Sequence, residues 1–182
     1  MKRLLLHACC APCLMAPYKH LSRIFEVSVF WYNPNIHPYR EFLRRLRSVR
    51  DFCSKYDISL VEDLSYPIED WLLKASLLSK KSNVLRCRFC YGDRLYKTAL
   101  VAKELGFDLF STTLLLAPYQ KHELVKEIGF KVSDKVGIDF YYEDMRKWFK
   151  ESEDMAKMEG VYRQGYCGCV FSEVDRYWRE NL

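Results

Sequence analysis

The sequence contains no apolar run long enough to cross a membrane, and its opening apolar segment is too short for a signal peptide. It also contains no linker rich in Pro, Gly or Ser, no internal repeat and no low-complexity tract. Disorder is disfavoured because 49% of the residues are apolar and there are 13 Tyr and 11 Phe. We therefore expect one soluble, cytoplasmic domain over residues 1–182, with no membrane association.

Positive charge is in slight excess, with a net charge of +5, but it is unevenly distributed. Residues 71–103 contain eight Lys and Arg and one acid, whereas residues 139–159 contain seven acids and four bases. A polyanion would approach the first region and avoid the second, although such a basic helix can equally be a solvated face. The candidate phosphate-binding residues in the basic region are Lys80, Lys81, Arg86, Arg88 and Arg94.

The eight cysteines are grouped, which packing alone does not explain. Seven fall into three sets, Cys9/Cys10/Cys13, Cys87/Cys90 and Cys167/Cys169, while Cys53 lies alone in the apolar stripe of a helix and is predicted to be core. Disulfides do not persist in a reducing cytosol, so clustered thiols there indicate metal binding or catalysis.

Strand-like and helix-like segments alternate along the chain. This pattern predicts an α/β fold with a parallel, doubly wound sheet. After a first strand at the opening apolar run, strands are predicted at 25–32, 58–64, 107–116 and 138–142, and helices at 39–56, 68–78, 87–105 (stopped by Gly106), 121–128, 145–158 and 170–179. A helix ending near residue 24 is predicted after the first strand, with Pro17 in its first turn. Residues from about 139 to 182 are expected to form a C-terminal helical extension that folds back over the metal site.

The first two cysteine groups have the spacing of a metal site. Cys9, Cys10 and Cys13 follow the first predicted strand, at the edge of the sheet where ligands collect. Cys87 and Cys90 are expected in a first helical turn, whose dipole would stabilise thiolates. Four thiolates suit either zinc or an iron–sulfur cluster, and spacing does not separate the two.

Cys167-Gly168-Cys169 favours redox chemistry, because two thiols separated by glycine can close a strained, labile disulfide ring. Two small core residues or two further metal ligands are the alternatives. His7 lies inside the first apolar run and is predicted to be a hydrogen-bonded core residue rather than a ligand.

Four segments together resemble the epoxyqueuosine reductase family of the QueH type. They are 5–13 (LLHACCAPC), 87–91 (CRFCY), 112–120 (TTLLLAPYQ) and 166–172 (YCGCVFS). The resemblance covers nearly the whole chain and implies reduction of the epoxide of epoxyqueuosine to queuosine at the wobble position of tRNAs with a GUN anticodon. It also implies a core like that of adenine-nucleotide α-hydrolase-like (HUP-type) domains. The phosphate loop of the tRNA-thiolating relatives is missing, so ATP binding is not expected.

The same resemblance implies the cofactors. A [4Fe-4S] cluster falls on Cys9, Cys10, Cys87 and Cys90, and Cys167 and Cys169 match a redox-active dithiol. A second, mononuclear iron is associated with the family, and Cys13 is the nearest unclaimed thiol. Candidates for the acid that protonates the epoxide oxygen are His7, Tyr91 and Asp93. The electron donor is unidentified. A zinc-stabilised nucleic-acid-binding module without catalysis and an ATP-dependent tRNA thiolase are the alternative functions.

Overall fold

A computed structural model describes residues 1–178 and contains one five-stranded sheet. All neighbouring strands are parallel and their order is β3-β2-β1-β4-β5. The strands are β1 (Arg3–His7), β2 (Glu26–Trp31), β3 (Leu60–Glu62), β4 (Leu109–Thr112) and β5 (Asp139–Phe140). The chain moves outward from β1 in one direction and then in the other, so the predicted doubly wound α/β fold is confirmed.

Helices cover both faces of the sheet. They are α1 (Ala11–Leu21), α2 (Tyr39–Lys55), α3 (Ile68–Lys81), α4 (Asn83–Glu104), α5 (His122–Val136), α6 (Phe149–Met158) and α7 (Val170–Tyr177). Helix α1 packs on α2 and α6, whereas α4 packs on β1 and β4 and contacts α3 and α5. Leu4, Leu5 and Leu6 of β1 are therefore fully buried, as expected for a central parallel strand covered on both sides.

Helix α2 follows its predicted pattern closely. Phe42, Leu46 and Val49 form a buried stripe, and Cys53 continues it and is buried, which confirms Cys53 as core. Burial raises the pKa of the Cys53 thiol to about 12. This cysteine therefore contributes packing, and its thiol stays protonated at neutral pH.

Helix α1 begins earlier than predicted, directly after Cys10, and Pro17 lies inside it rather than in its first turn. The regular backbone hydrogen bonds of α1 are interrupted near Pro17, and the Ser152 hydroxyl of α6 inserts between two of the helix's backbone groups. The Ala16 N–H donates to Ser152 Oγ at 3.0 Å, and that hydroxyl donates to the Pro12 carbonyl at 2.6 Å. An inserted side chain and a proline are both recognised causes of helix distortion.

Helix α4 also begins earlier than predicted, at Asn83, because the Ser82 hydroxyl accepts the Val84 N–H at 3.0 Å and caps it. Its predicted end is confirmed, since Gly106 has φ +71°, in the left-handed region that favours glycine.

Other boundaries also differ from the predictions. Strands β2, β3 and β5 are shorter at both ends than predicted, α1 ends at Leu21 rather than near residue 24, and α3 continues to Lys81 rather than 78. Strand β4 is shorter because the Thr112 hydroxyl accepts the Leu114 N–H and starts a 3₁₀ turn at 113–115. The predicted 145–158 helix begins as a 3₁₀ turn over 145–148. Helix α5 is longer and ends at Val136, where Gly137 (φ +73°) caps it, and the predicted end of α7 at Arg179 lies outside the described residues.

No helix within residues 1–178 is long and apolar enough to span a bilayer. The division into one domain with a C-terminal extension from about residue 139 stays a prediction. Strand β5 within that extension belongs to the sheet, and α6 beyond it packs on α1.

Candidate active site

Cys9, Cys10 and Cys13 form a compact group at the carboxyl end of β1. Cys9 and Cys10 lie between β1 and α1, and Cys13 lies in the first turn of α1. Their three Sγ atoms lie within 4.8 Å of one another, and the Cys9–Cys10 Sγ distance is 3.8 Å. Three buried, soft donors at this spacing can hold a metal ion. The group includes Cys13, which spacing placed with Cys9 and Cys10 but which the family resemblance left outside the cluster ligands.

The three sulfurs are electrostatically unequal. Hydrogen bonds from Cys10 and Cys13 hold the pKa of Cys9 well below its usual range, while burial raises the pKa of Cys10. The Thr113 hydroxyl also donates to Cys9 Sγ at 3.4 Å, and the Gln164 amide donates to Cys10 Sγ at 2.8 Å. Donors directed at sulfur stabilise a negative charge there, so this group is built to carry at least one thiolate.

Cys87 and Cys90 form a second group on α4. Because α4 starts at Asn83, Cys87 is its fifth residue, and the prediction that both thiols occupy the first helical turn is wrong. The helix dipole does not favour their thiolates there. Burial instead raises the pKa of both thiols, that of Cys90 to about 12. Cys90 packs with Cys169, Trp71 and Ala75 in a small buried cluster, so the second and third cysteine groups are in contact.

The 166–168 segment, which carries Cys167, is anchored by α2. The guanidinium of Arg45 donates to the Cys167 carbonyl at 2.9 Å and to the Tyr166 carbonyl at 3.1 Å, and it pairs with Glu41 at 2.6 Å. The His37 N–H donates to the Gly168 carbonyl at 2.8 Å. The carbonyl groups of three consecutive residues, 166–168, thus accept from fixed donors. These bonds orient the backbone at Cys167 and Cys169, on either side of Gly168.

Gly168 fits this anchored turn because it has no side chain. Its φ is +146°, and a Cβ there would meet Asn35 Nδ2 at 3.1 Å, Ile36 Cγ1 at 3.2 Å and Arg45 Nη1 at 3.3 Å. Both the backbone angle and the crowding disfavour a larger residue.

Cys167 lies at the open side of the site, whereas Cys169 is buried. The Gln120 amide donates to Cys167 Sγ at 3.2 Å, and Gln120 Oε1 accepts from the Tyr91 hydroxyl at 2.7 Å. A polar chain therefore runs from α4 to the exposed thiol. Such a chain fixes the position of the sulfur and supplies a hydrogen-bond donor beside it.

The three candidate acids occupy different environments. His7 is fully buried between Thr112 Oγ1 (2.9 Å) and the Tyr32 carbonyl (3.1 Å), which confirms it as a hydrogen-bonded core residue. Burial lowers its pKa to about 4. Asp93 is half-buried and accepts from the Tyr32 hydroxyl at 3.4 Å, and burial raises its pKa. Tyr91 is the candidate linked to Cys167 through Gln120.

The five candidate phosphate-binding residues separate into two sets. Lys80, Lys81 and Arg88 lie at the surface, where Arg88 pairs with Glu127 at 2.8 and 3.0 Å. Arg86 and Arg94 are 6% and 1% exposed, and so present little surface to a phosphate. Arg86 bonds Ser79 and Asn83, and Arg94 points at Cys90.

Sequence reasoning missed Arg45, Gln120 and Gln164. Arg45 is one of five arginines in α2, a stretch whose charged residues are expected to be solvated, although Arg45 is 1% exposed. Its only local signal is Glu41 one turn earlier, and its other partners lie more than 120 residues away. The two amides carry no spacing signal at all, because they reach their thiols from separate loops.

The fold and site together define an α/β protein with a thiol-rich, metal-competent centre at the carboxyl edge of its sheet. Comparison with known families identifies it further: residues 4–175 match the model of "Epoxyqueuosine reductase QueH". A protein of that name from Dehalococcoides mccartyi is 38% identical over 181 residues, covering 98% of this chain and 97% of that relative. One from Thermotoga maritima is 32% identical, covering 97% and 93%. The chain belongs to the epoxyqueuosine reductase QueH family and is an oxidoreductase, as the sequence motifs predicted.

Proposed function

We propose that this protein reduces the epoxide of epoxyqueuosine to queuosine at the wobble position of tRNAs with a GUN anticodon. The observation that carries the proposal is the convergence of cysteines at one sheet edge. The Cys9/Cys10/Cys13 group lies at the end of β1, and Cys90 of α4 packs against Cys169, next to the exposed Cys167. The names of the relatives support the choice of substrate.

The reaction is a two-electron reduction. Both C–O bonds of the epoxide are broken, a C=C bond forms, and the oxygen leaves as water after taking up two protons. The Cys167/Cys169 dithiol can supply both electrons and both protons by closing to a disulfide, which balances the reaction. An external electron donor, still unidentified, would then restore the dithiol.

We assign a [4Fe-4S] cluster to Cys9, Cys10, Cys87 and Cys90, and Cys13 to a second iron. The chemistry of the donor set fits, because all five thiols are free. The sulfurs of Cys9, Cys10 and Cys13 lie within 4.8 Å of one another. When bound, the cluster would pass single electrons and the second iron would polarise the epoxide oxygen. The proximity of Cys13 to Cys9 and Cys10 supports its inclusion among the metal-binding thiols.

Residues of the chain itself would present the substrate to Cys167. The Gln120 amide, itself held by the Tyr91 hydroxyl, donates to the thiol from one side, and the exposed face of Cys167 is open to an incoming nucleoside. Tyr91 is the candidate acid nearest this thiol in the hydrogen-bond chain, and it would deliver a proton to the departing oxygen once the Gln120 amide moves aside.

Substrate tRNA would bind across the rim of the site. Tyr119, directly before Gln120, is 82% exposed and its ring contacts Phe149. An exposed aromatic ring beside the redox thiol suits stacking on an unpaired anticodon-loop base. Lys80, Lys81 and Arg88 at the surface remain the proposed phosphate contacts, together with Lys121 on the same rim as Tyr119.

The test is an anaerobic assay with a chemical reductant and epoxyqueuosine-containing tRNA, followed by nucleoside analysis. Wild-type protein should contain iron and sulfide and convert epoxyqueuosine to queuosine. Cys167→Ser and Cys169→Ser should abolish conversion, whereas Cys53→Ser is the matched control and should retain it.

Two results would contradict the proposal. A colourless protein with one stoichiometric zinc, and full activity in cells for both serine variants, would indicate a zinc-stabilised nucleic-acid-binding module. ATP-dependent incorporation of sulfur into tRNA would indicate a thiolase.

A further inference from the structure

Arg94 occupies an unusual position for an arginine. It lies seven residues after Cys87 and four after Cys90 on α4, so all three side chains share one helical face. Its side chain is 1% exposed, and its guanidinium donates to the Cys90 carbonyl and to Cys90 Sγ, both at 3.2 Å. The Tyr91 ring lies 5.8 Å from its guanidinium carbon.

A buried cation needs a compensating negative charge, because an unpaired charge in the interior is strongly destabilising. The other two buried arginines have carboxylate partners: Arg45 pairs with Glu41 at 2.6 Å and Arg86 with Asp175 at 3.5 Å. Within residues 1–178, no carboxylate forms such an ion pair with Arg94. The group that faces its guanidinium is instead the sulfur of Cys90, which itself packs against Cys169.

Arg94 therefore lies against the second cysteine group, where that group contacts the third. We propose that Arg94 is the fixed counter-charge of the thiol centre, which favours a metal–thiolate complex with net negative charge over the metal-free protein. This inference rests on the proposed function only in taking these cysteines as metal ligands. It assigns Arg94 to the interior of the site rather than to tRNA phosphates.

An electrostatic role of Arg94 differs from a structural one in its effect on the stability of the metal-bound and the metal-free protein. Metal binding deprotonates its thiol ligands, so the anions that compensate Arg94 are most complete when metal is bound. Without metal, Arg94 is incompletely compensated, and an apolar residue of similar length should be tolerated equally well or better. A merely structural arginine would stabilise both states alike.

The experiment uses Co²⁺ as the metal probe on metal-free, full-length protein, with affinity measured by chelator competition and thiolate-to-cobalt absorption. Arg94→Met should weaken Co²⁺ binding by about 10- to 100-fold, the usual effect of losing a group that supports metal ligands. Arg94→Lys retains the charge without the planar fork and should lose less. Lys97→Met removes one positive charge from the same helix, where Lys97 pairs with Asp63 at 2.8 Å, and should bind like wild type.

Urea unfolding of the metal-free variants completes the test. Arg94→Met should be as stable as wild type or more stable without metal, and less stable with it. Failure of Arg94→Met to fold without metal, a parallel loss of stability in both states, or wild-type Co²⁺ affinity would overturn the proposal. Wild-type protein that binds no Co²⁺ would contradict the metal centre of the proposed function as well, and so is distinguishable from failure of the Arg94 role alone.

Discussion

Replacing Arg45 with methionine should release the 166–168 segment and destabilise the fold. The substitution removes the 2.6 Å ion pair to Glu41 and both hydrogen bonds to the carbonyls of Tyr166 and Cys167. Because the two charged side chains are 1% and 10% exposed, the loss should approach the value for breaking a buried pair, about 3 kcal/mol or more. Glu41 keeps the Tyr162 hydroxyl as a donor, which limits the loss. That amount is a large part of the roughly 5–15 kcal/mol that a domain has in total.

Equilibrium urea unfolding measures the stability loss, and tryptic cleavage after the exposed Arg163 measures release of the segment. Arg44→Met is the matched control: Arg44 is exposed and lies over the Tyr162 ring at 3.6 Å, so about 0.5–1 kcal/mol should be lost. The double variant Glu41→Gln/Arg45→Met removes both charges and should recover part of the stability. Equal losses of stability in Arg45→Met and Arg44→Met, or unchanged cleavage after Arg163 in Arg45→Met, would refute the anchoring role of Arg45.

Three further substitutions test other features of the structure. Gly168→Ala should lose about 1–3 kcal/mol in urea unfolding, because its φ is +146° and the new Cβ would crowd Asn35; wild-type stability would contradict the argument from crowding. Ser152→Ala should lose about 1–3 kcal/mol and speed hydrogen exchange of the Ala16 amide, which loses its acceptor; an unchanged exchange rate would show that the hydroxyl is dispensable. Burial lowers the pKa of His37 to about 4. Between about pH 4 and 6.5 the imidazole is therefore protonated in the unfolded chain and neutral in the folded protein, so the free energy of unfolding rises with pH across this range. His37→Phe should flatten that rise by about 1–3 kcal/mol, and an identical pH profile for both proteins would argue against the buried neutral imidazole.

The parallel sheet could be predicted because its signals are local. Alternating segments fix the kind of fold, and the apolar stripe of α2 places Phe42, Leu46 and Val49 on one face. The family resemblance adds the cysteine motifs. Element boundaries were less accessible: α4 starts four residues before Cys87 because a single serine caps it, and that shift removes the expected dipole effect on the CxxC thiols.

The interior polar contacts could not be predicted, because their partners are remote in sequence. Arg45 and Arg94 resemble ordinary solvated arginines in a helical pattern, yet Arg45 binds carbonyls more than 120 residues away and Arg94 is buried against the sulfur of Cys90. Helical patterning treats every arginine as a surface residue, whereas the structure buries those that find compensating charge or carbonyl oxygens. For Arg94 there was one usable signal, its spacing of three and four residues within the Cys87–Cys90–Arg94 face.

The hydroxyl of Ser152 that completes α1 makes the assembly of this protein dependent on synthesis order. During translation, the segment with Cys9, Cys10 and Cys13 emerges first, but the Ala16 N–H and the Pro12 carbonyl find their shared partner only when α6 has been made. The Gln164 amide that donates to Cys10, and the Cys167 loop, emerge later still. A nascent chain therefore carries these three thiols well before their surroundings exist. Their native environment is complete only after α6 has docked onto α1 and residues 164–167 have been made.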